Sequence, residues 1–216
     1  MFNLENPSNL ILVMISVSTV PFLAVMTTSF VKLAVVFSLL RNALGVQQIP
    51  PNMAIYGLAI ILTAYVMSPV GYAIKDVIDQ NDIDFNNTET VIENFGILTQ
   101  PVKDFLLKYT SQAERSFFIK TAKIMWPPEQ AATIGDDSML VVIPAFTVSE
   151  LTDAFQIGFL LYLPFIIIDL IVSNILLAMG MMMVSPMTIS LPFKLLLFVL
   201  VDGWARLVHG LVLTYR

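Results

Sequence analysis

Long stretches without a charged side chain alternate with short polar breaks along this chain, and the breaks define the predicted elements. No charged residue occurs from Asn6 to Val31, a run long enough for the roughly 20 residues that cross a bilayer's hydrocarbon. The apolar pattern continues through Lys32 to Arg41 and ends at Gly45, because Gln47-Gln48-Ile49-Pro50-Pro51 cannot extend a helix. Asn52 is placed to cap a second uncharged segment, Met53 to Ile74, whose expected weak points are Gly57 and Pro69. Residues 1–74 therefore read as an apolar helical hairpin with Lys32 and Arg41 near its tip.

A polar insert follows over residues 75–137. It opens with Asp76, Asp79, Asp82 and Asp84, which repel one another and favour a solvent-facing loop over a helix. Beyond Pro101, the spacing of Val102, Phe105, Leu106 and Tyr109 is helical. Ser111-Gln112-Ala113-Glu114 fits a capping box ahead of Phe117-Phe118-Ile119 and Ile124-Met125. Two short amphipathic helices are expected, the second ending at Trp126-Pro127-Pro128.

Residues 138–216 return to the apolar pattern. Thr147-Val148-Ser149-Glu150 reads as a capping box before a helix from Leu151 to Met183, with a kink expected at Pro164. The junction Gly180 to Pro186, together with Pro192, separates that helix from a last one over about Phe193 to Tyr215. The fold class read from the pattern is all-α: four apolar segments in two kinked hairpins, with a polar helical insert between them.

Charge distribution sharpens this picture. Of the 27 charged residues, 17 lie between Lys75 and Asp137, 11 acidic and 6 basic, so the insert alone carries the chain's net charge of −5. The chain is 57% hydrophobic and 12% charged, with a mean hydropathy of +0.82, which describes a membrane-associated protein with one solvated insert. Nucleic acid is excluded as a partner, since no cluster of Lys and Arg is present to meet a phosphate backbone. Lys32 and Arg41 favour a cytoplasmic first turn, while Arg206 and Arg216 pull the other way. Glu5 is the only charge before the first apolar run, so a cleavable signal lacks its basic start and the N-terminal segment is expected to persist. Pro21, Pro69, Pro164, Pro186 and Pro192 free backbone groups that lipid cannot satisfy. Such breaks are tolerated where helices pack on protein or line water, so an oligomer is expected.

Enzymatic chemistry finds few candidates. The chain has no cysteine and one histidine, His209, so thiolate catalysis and a conventional zinc site are unsupported, and no phosphate-binding loop occurs. Asp169 and Asp202 could form a carboxylate pair, but neither stands in a supporting motif. No cofactor or metal is expected, and the chain is read as non-enzymatic. Two other features carry the functional reading. Asp169 is an acid inside the otherwise uncharged stretch from Ala154 to Phe193, and Lys194 is the next charge along the chain. Each is costly alone in apolar surroundings, so a structural or inter-subunit pair, an ion-pathway group and a snorkelling helix-end charge are the readings to weigh. Met181, Met182 and Met183, with Met179 and Met187, place five of twelve methionines in nine residues. On composition this reads as core filling, but unbranched, polarizable side chains beside a helix break could also seal a pore and re-pack around passing chains.

Several stretches together resemble a known family. They are Phe30-Val31-Lys32-Leu33-Ala34-Val35-Val36-Phe37-Ser38-Leu39-Leu40-Arg41-Asn42-Ala43-Leu44-Gly45, Gln47-Gln48-Ile49-Pro50-Pro51-Asn52, and Ile143-Pro144-Ala145-Phe146-Thr147-Val148-Ser149-Glu150-Leu151. A further one runs from Phe165 through Asp169-Leu170 and Ala178-Met179-Gly180-Met181-Met182-Met183-Val184-Ser185-Pro186 to Leu191-Pro192-Phe193-Lys194. They resemble the export-gate proteins of type III secretion, the R component of injectisomes and its flagellar counterpart, the P protein. The resemblance covers nearly the whole chain except the insert.

The resemblance implies a pentamer that joins the small S and T components in a helical funnel, next to the large V export-gate subunit and the inner rod. That funnel forms the core channel for unfolded secreted proteins, in the bacterial inner membrane and standing largely above its plane. Met181, Met182 and Met183 then correspond to the family's methionine gasket, and Asp169 and Lys194 to a charged pair joining neighbouring subunits. The missing signal fits the injectisome branch better than the flagellar one. A small ion-coupled secondary transporter using Asp169 is the rival, weakened by the few embedded ionisable groups and the lack of a visible repeat; a scaffold anchoring partners through the acidic insert is a third reading.

Overall fold

The computed structural model describes residues 7–46, 49–81, 83, 90 and 93–216. Among them the regular elements are nine helices: α1 (Pro7–Met26), α2 (Phe30–Leu44), α3 (Asn52–Gln80), α4 (Phe95–Tyr109), α5 (Gln112–Met125), α6 (Pro128–Thr133), α7 (Met139–Ala178), α8 (Pro186–Leu200) and α9 (Gly203–Leu213). The all-α expectation holds. Asn6, Gln47, Gln48, Asp82 and Asp84, which figured in the sequence reading, lie outside the described residues.

Local chemistry moves several boundaries. The first apolar run is not one continuous helix: it breaks and bends sharply between Met26 and Phe30. Thr27 turns its hydroxyl back onto the Leu23 carbonyl at 2.8 Å, and the Thr28 hydroxyl accepts from the Phe30 N–H at 3.5 Å, a local alternative to the helix ladder that Ser and Thr provide. Lys32 consequently sits in the first turn of α2, away from the tip that Arg41 occupies. Asn52 does not cap α3. The helix accepts its first backbone bonds at Pro51, and the Asn52 side chain instead accepts from Arg41 Nη1 at 2.5 Å.

Neither Pro69 nor Pro164, where a weak point and a kink are expected, ends its helix. α3 runs unbroken through Pro69 to Gln80. Pro69 lacks the N–H that would reach the Tyr65 carbonyl, and the Ser68 hydroxyl donates to that carbonyl at 2.5 Å in its place. The acidic start of the insert, Asp76 and Asp79, is therefore exposed as expected but helical. In the same way α7 begins at Met139, runs through Thr147–Glu150 and continues past Pro164. With the helix already started, Thr147 and Ser149 have no cap to make, and their hydroxyls bond the carbonyls of Ile143 and Ala145, four residues back.

Two compact units share the chain: Met1–Val31 with Ala64–Glu150, and Lys32–Thr63 with Leu151–Arg216. In the first, Phe105, Leu106, Val141, Val142, Ala145 and Phe146 form a buried cluster, with the rings of Phe105 and Phe146 5.8 Å apart. Both expected insert helices form, and Ser111 caps α5 by accepting from the Ala113 N–H at 3.3 Å. The short α6 was not anticipated. Lys103 Nζ donates to Asp137 Oδ2 at 2.6 Å, and this bond and charge hold the Asp137 carboxyl below the usual carboxylate range. A group depressed in the folded state stabilises above its unfolded pKa, about 4, and loses that contribution as pH falls through the folded value. Lys103→Ala should raise the Asp137 titration toward the ordinary carboxyl range, leaving only the smaller depression from its backbone hydrogen bond, read by NMR of its side-chain carbon, with little change in thermal stability because the pair is exposed.

In the second unit Leu33, Val36, Phe37, Leu40, Ala154, Phe165, Phe198, Leu207 and Leu211 are buried. The ring of Phe198 lies 6.5 Å from that of Phe165 and 5.7 Å from that of Trp204. The last apolar segment breaks at Val201–Asp202, where α8 and α9 meet at 61°, and not at Pro192, which sits inside α8. Gly203 makes the bend possible: a Cβ there would stand 2.2 to 2.6 Å from carbons of the Phe198 ring. Gly203→Ala must therefore displace a buried ring, a strain of about 1–3 kcal/mol by the usual cost of overpacking; thermal unfolding in detergent should register it.

By length and composition α3 and α7 can each cross a membrane, and the bent pairs α1–α2 and α8–α9 can each make one more broken span. α7 in particular is apolar all round, with Phe155, Phe159, Ile167, Leu170 and Ile171 exposed along it. So large a bare apolar surface is stable only against lipid or protein. The chain is thus membrane-associated.

Candidate functional site

The break between α7 and α8 is built by a glycine in the second unit. Gly180 takes a left-handed backbone, φ +73°, which costs a residue without Cβ nothing. The Met181 N–H then reaches back to the Leu176 carbonyl at 2.9 Å and the Gly180 N–H to that of Leu177 at 3.0 Å, the paired bonds of a Schellman stop. α8 restarts with Pro186 at its first position, where the missing N–H has no helical partner to lose. The intervening residues are a turn, as the Gly180 to Pro186 junction predicts, and α7 ends five residues before the expected Met183.

That turn displays its methionines. Met181 is 44% exposed, Met182 81% and Met183 100%, and Met179 and Met187 at its two ends are exposed as well. They are not core filling within this chain.

Behind the turn, Asp169 of α7 and Lys194 of α8 come together. Lys194 Nζ lies 2.6 Å from Asp169 Oδ2, and the Ser190 hydroxyl donates to Asp169 Oδ1 at 2.5 Å. Ser190 and Lys194 are four residues apart and so share one helix face, and they brace α8 on either side of Pro192, which explains why that proline does not end the helix. Lys194 is 3% exposed and also donates to the Ala43 carbonyl at 3.3 Å. Ala43 belongs to the last turn of α2, whose carbonyls have no helical partner and carry partial negative charge. One ammonium thus closes the neck of the α7–α8 hairpin and caps α2. Each member of the pair sits roughly ten residues from the turn, about 15 Å along a helix.

A second buried cation lies at the start of α2. Lys32 Nζ is 3.1 Å from Asp153 Oδ2 and 4.6 Å from the ring centre of Tyr215. Sequence reading treated Lys32 as a flanking charge; buried and paired, it is no guide to orientation. Ser190 was missed too, although its four-residue spacing from Lys194 is the signal that could have found it. Asp202 sits at the α8–α9 bend in a left-handed conformation, and His209 is exposed on α9. Both carboxylate oxygens of Asp169 are engaged by Ser190 and Lys194, not by a second acid. Among the described residues no three His, Asp or Glu side chains gather as metal ligands.

The pattern of the FliP family matches residues 12–211. This chain belongs to the FliP family. The Yop proteins translocation protein R of Yersinia pestis is 60% identical over 215 residues, covering 100% of this chain and 99% of that protein. The virulence protein YscR of Salmonella typhimurium is 49% identical over 214 residues, 98% of each chain. The hypersensitivity response secretion protein HrcR of Ralstonia nicotianae is 46% identical over 214 residues, 97% of each. The likeness of this FliP-family chain to the R and P export proteins of type III secretion, drawn from the sequence, is borne out.

Proposed function

We propose that this FliP-family protein is a core export-gate subunit of a type III secretion system, conducting unfolded proteins across the bacterial inner membrane and catalysing no reaction itself. The observation that carries the reading is the methionine turn: three consecutive flexible, polarizable side chains bared at the break between two apolar helices, held out by a rigid charged neck. Copies arranged around an axis would bring these side chains into a ring able to close on itself or re-pack around a passing chain. The bare apolar faces of α7 and α8 support self-association as a pentamer and packing against the small S and T components, with the V subunit and inner rod as further neighbours.

Asp169 keeps about a third of its side chain exposed. In the assembly that edge is free to meet a neighbouring subunit, so the pair joins subunits while it locks each hairpin. The ion-coupled transporter draws no support from the site, because both carboxylate oxygens of Asp169 are already engaged by Lys194 and Ser190.

The test is the native mass of the detergent-extracted chain, expressed alone and with its small hydrophobic export partners. A discrete homo-oligomer that grows when the partners are added is expected. A monomer or dimer under both conditions would overturn the proposal.

A further inference from the structure

The bend between α8 and α9 opens a groove in the second unit that the export reading leaves unused. Its volume is about 590 Å³, and its walls include Leu40 of α2, Leu160 and Pro164 of α7, Leu197 of α8, and Leu207 and Gly210 of α9. The lining is apolar almost throughout. Arg206, exposed on α9, is the one charged residue on it, and among the described residues its guanidinium makes no hydrogen bond or ion pair.

We infer that this groove holds an acyl chain of an anionic phospholipid, with Arg206 pairing the headgroup phosphate. An apolar slot of this size, walled by the spanning helix α7 and the bent apolar pair α8–α9 and rimmed by a single guanidinium, matches an amphiphile with a long tail and one anionic head. Basic pockets between membrane helices take such headgroups, and a guanidinium forks onto phosphate oxygens with two parallel bonds. Gly210 leaves the slot open: a Cβ placed there meets nothing within 4 Å.

The groove has its own reporter. Trp204 adjoins Gly203, which lines the groove, and the chain has only two tryptophans, so Trp126→Phe leaves Trp204 as the sole emitter. The full-length Trp126→Phe protein is placed in phosphatidylcholine vesicles holding one tenth of either dibrominated phosphatidylglycerol or dibrominated phosphatidylcholine, and Trp204 quenching is compared. The brominated phosphatidylglycerol should quench at least twofold more strongly. Arg206→Gln should abolish that preference, and Gly210→Leu, which fills the slot, should lower quenching by both lipids. Arg206 is exposed, so its substitution keeps the test valid should Gly210→Leu fail to fold. Equal quenching by the two lipids that Arg206→Gln leaves unchanged would show unselective contact with bulk lipid and overturn the inference. Absence of quenching by either, the result if a protein segment fills the groove, would overturn it as well.

Discussion

Lys194→Met should lower the stability of the isolated chain by about 3 kcal/mol, the low end of what removing one partner from a buried ion pair costs. The low end applies because Asp169 is about a third exposed and water screens part of the orphaned charge. Asp169→Asn should cost at least as much, since it strands the more deeply buried ammonium. The double variant Asp169→Leu with Lys194→Met should recover much of the loss, because two apolar side chains of similar size need no desolvated charge. Thermal unfolding in detergent reads all three, and native mass separates the two roles of the pair. Recovery of stability without recovery of the oligomer means that Asp169 also contacts a neighbouring subunit; recovery of both means that the pair acts only within the chain. Equal stability of all the variants would show that the neck does not depend on this contact.

Replacing Met181, Met182 and Met183 together with alanine should leave the fold of the chain nearly unchanged, because side chains this exposed contribute little to its packing. The closed assembly, by contrast, should become leaky. Each substitution removes most of a long flexible side chain from the ring, and a gap of that size in an apolar seal admits water and ions. The expected result is an ion conductance in planar bilayers that the unaltered complex lacks, by an order of magnitude or more. An unchanged permeability barrier in a correctly assembled complex would contradict the gasket role.

The sequence disclosed the elements whose signals are local. Ser111 caps the helix it was expected to cap, Gly180 stops α7 through a left-handed backbone that glycine adopts freely and other residues avoid, and Asp76 and Asp79 at the start of the insert face solvent as their charge demands. It misled where a strong signal was overruled by context. Pro69 and Pro192 leave their helices intact because a neighbouring serine takes up the freed carbonyl in one case and a charged brace spans the proline in the other. Thr147 and Ser149 look like caps, yet with α7 already begun at Met139 they bond back along it. Pairing across the chain was legible only in part. Charge scarcity alone pointed to Asp169 with Lys194, but the Ala43 carbonyl that shares this ammonium, and the burial of Lys32 against Asp153 and Tyr215, depend on tertiary placement that no spacing reveals. The exposure of the three methionines likewise needed the turn itself, since composition reads them as core.

The central claim is that exported chains pass the methionine turn, and the absence of cysteine from the sequence allows a direct test. Met182→Cys is installed in the assembled export complex, with Ile124→Cys, an exposed position on α5, as the control. A secretion substrate fused to a domain that cannot unfold is then arrested in transit, and a thiol crosslinker is applied. The account predicts a substrate crosslink at position 182 and none at position 124. No crosslink at 182 while the substrate is demonstrably arrested, or an equal crosslink at both positions, would contradict it.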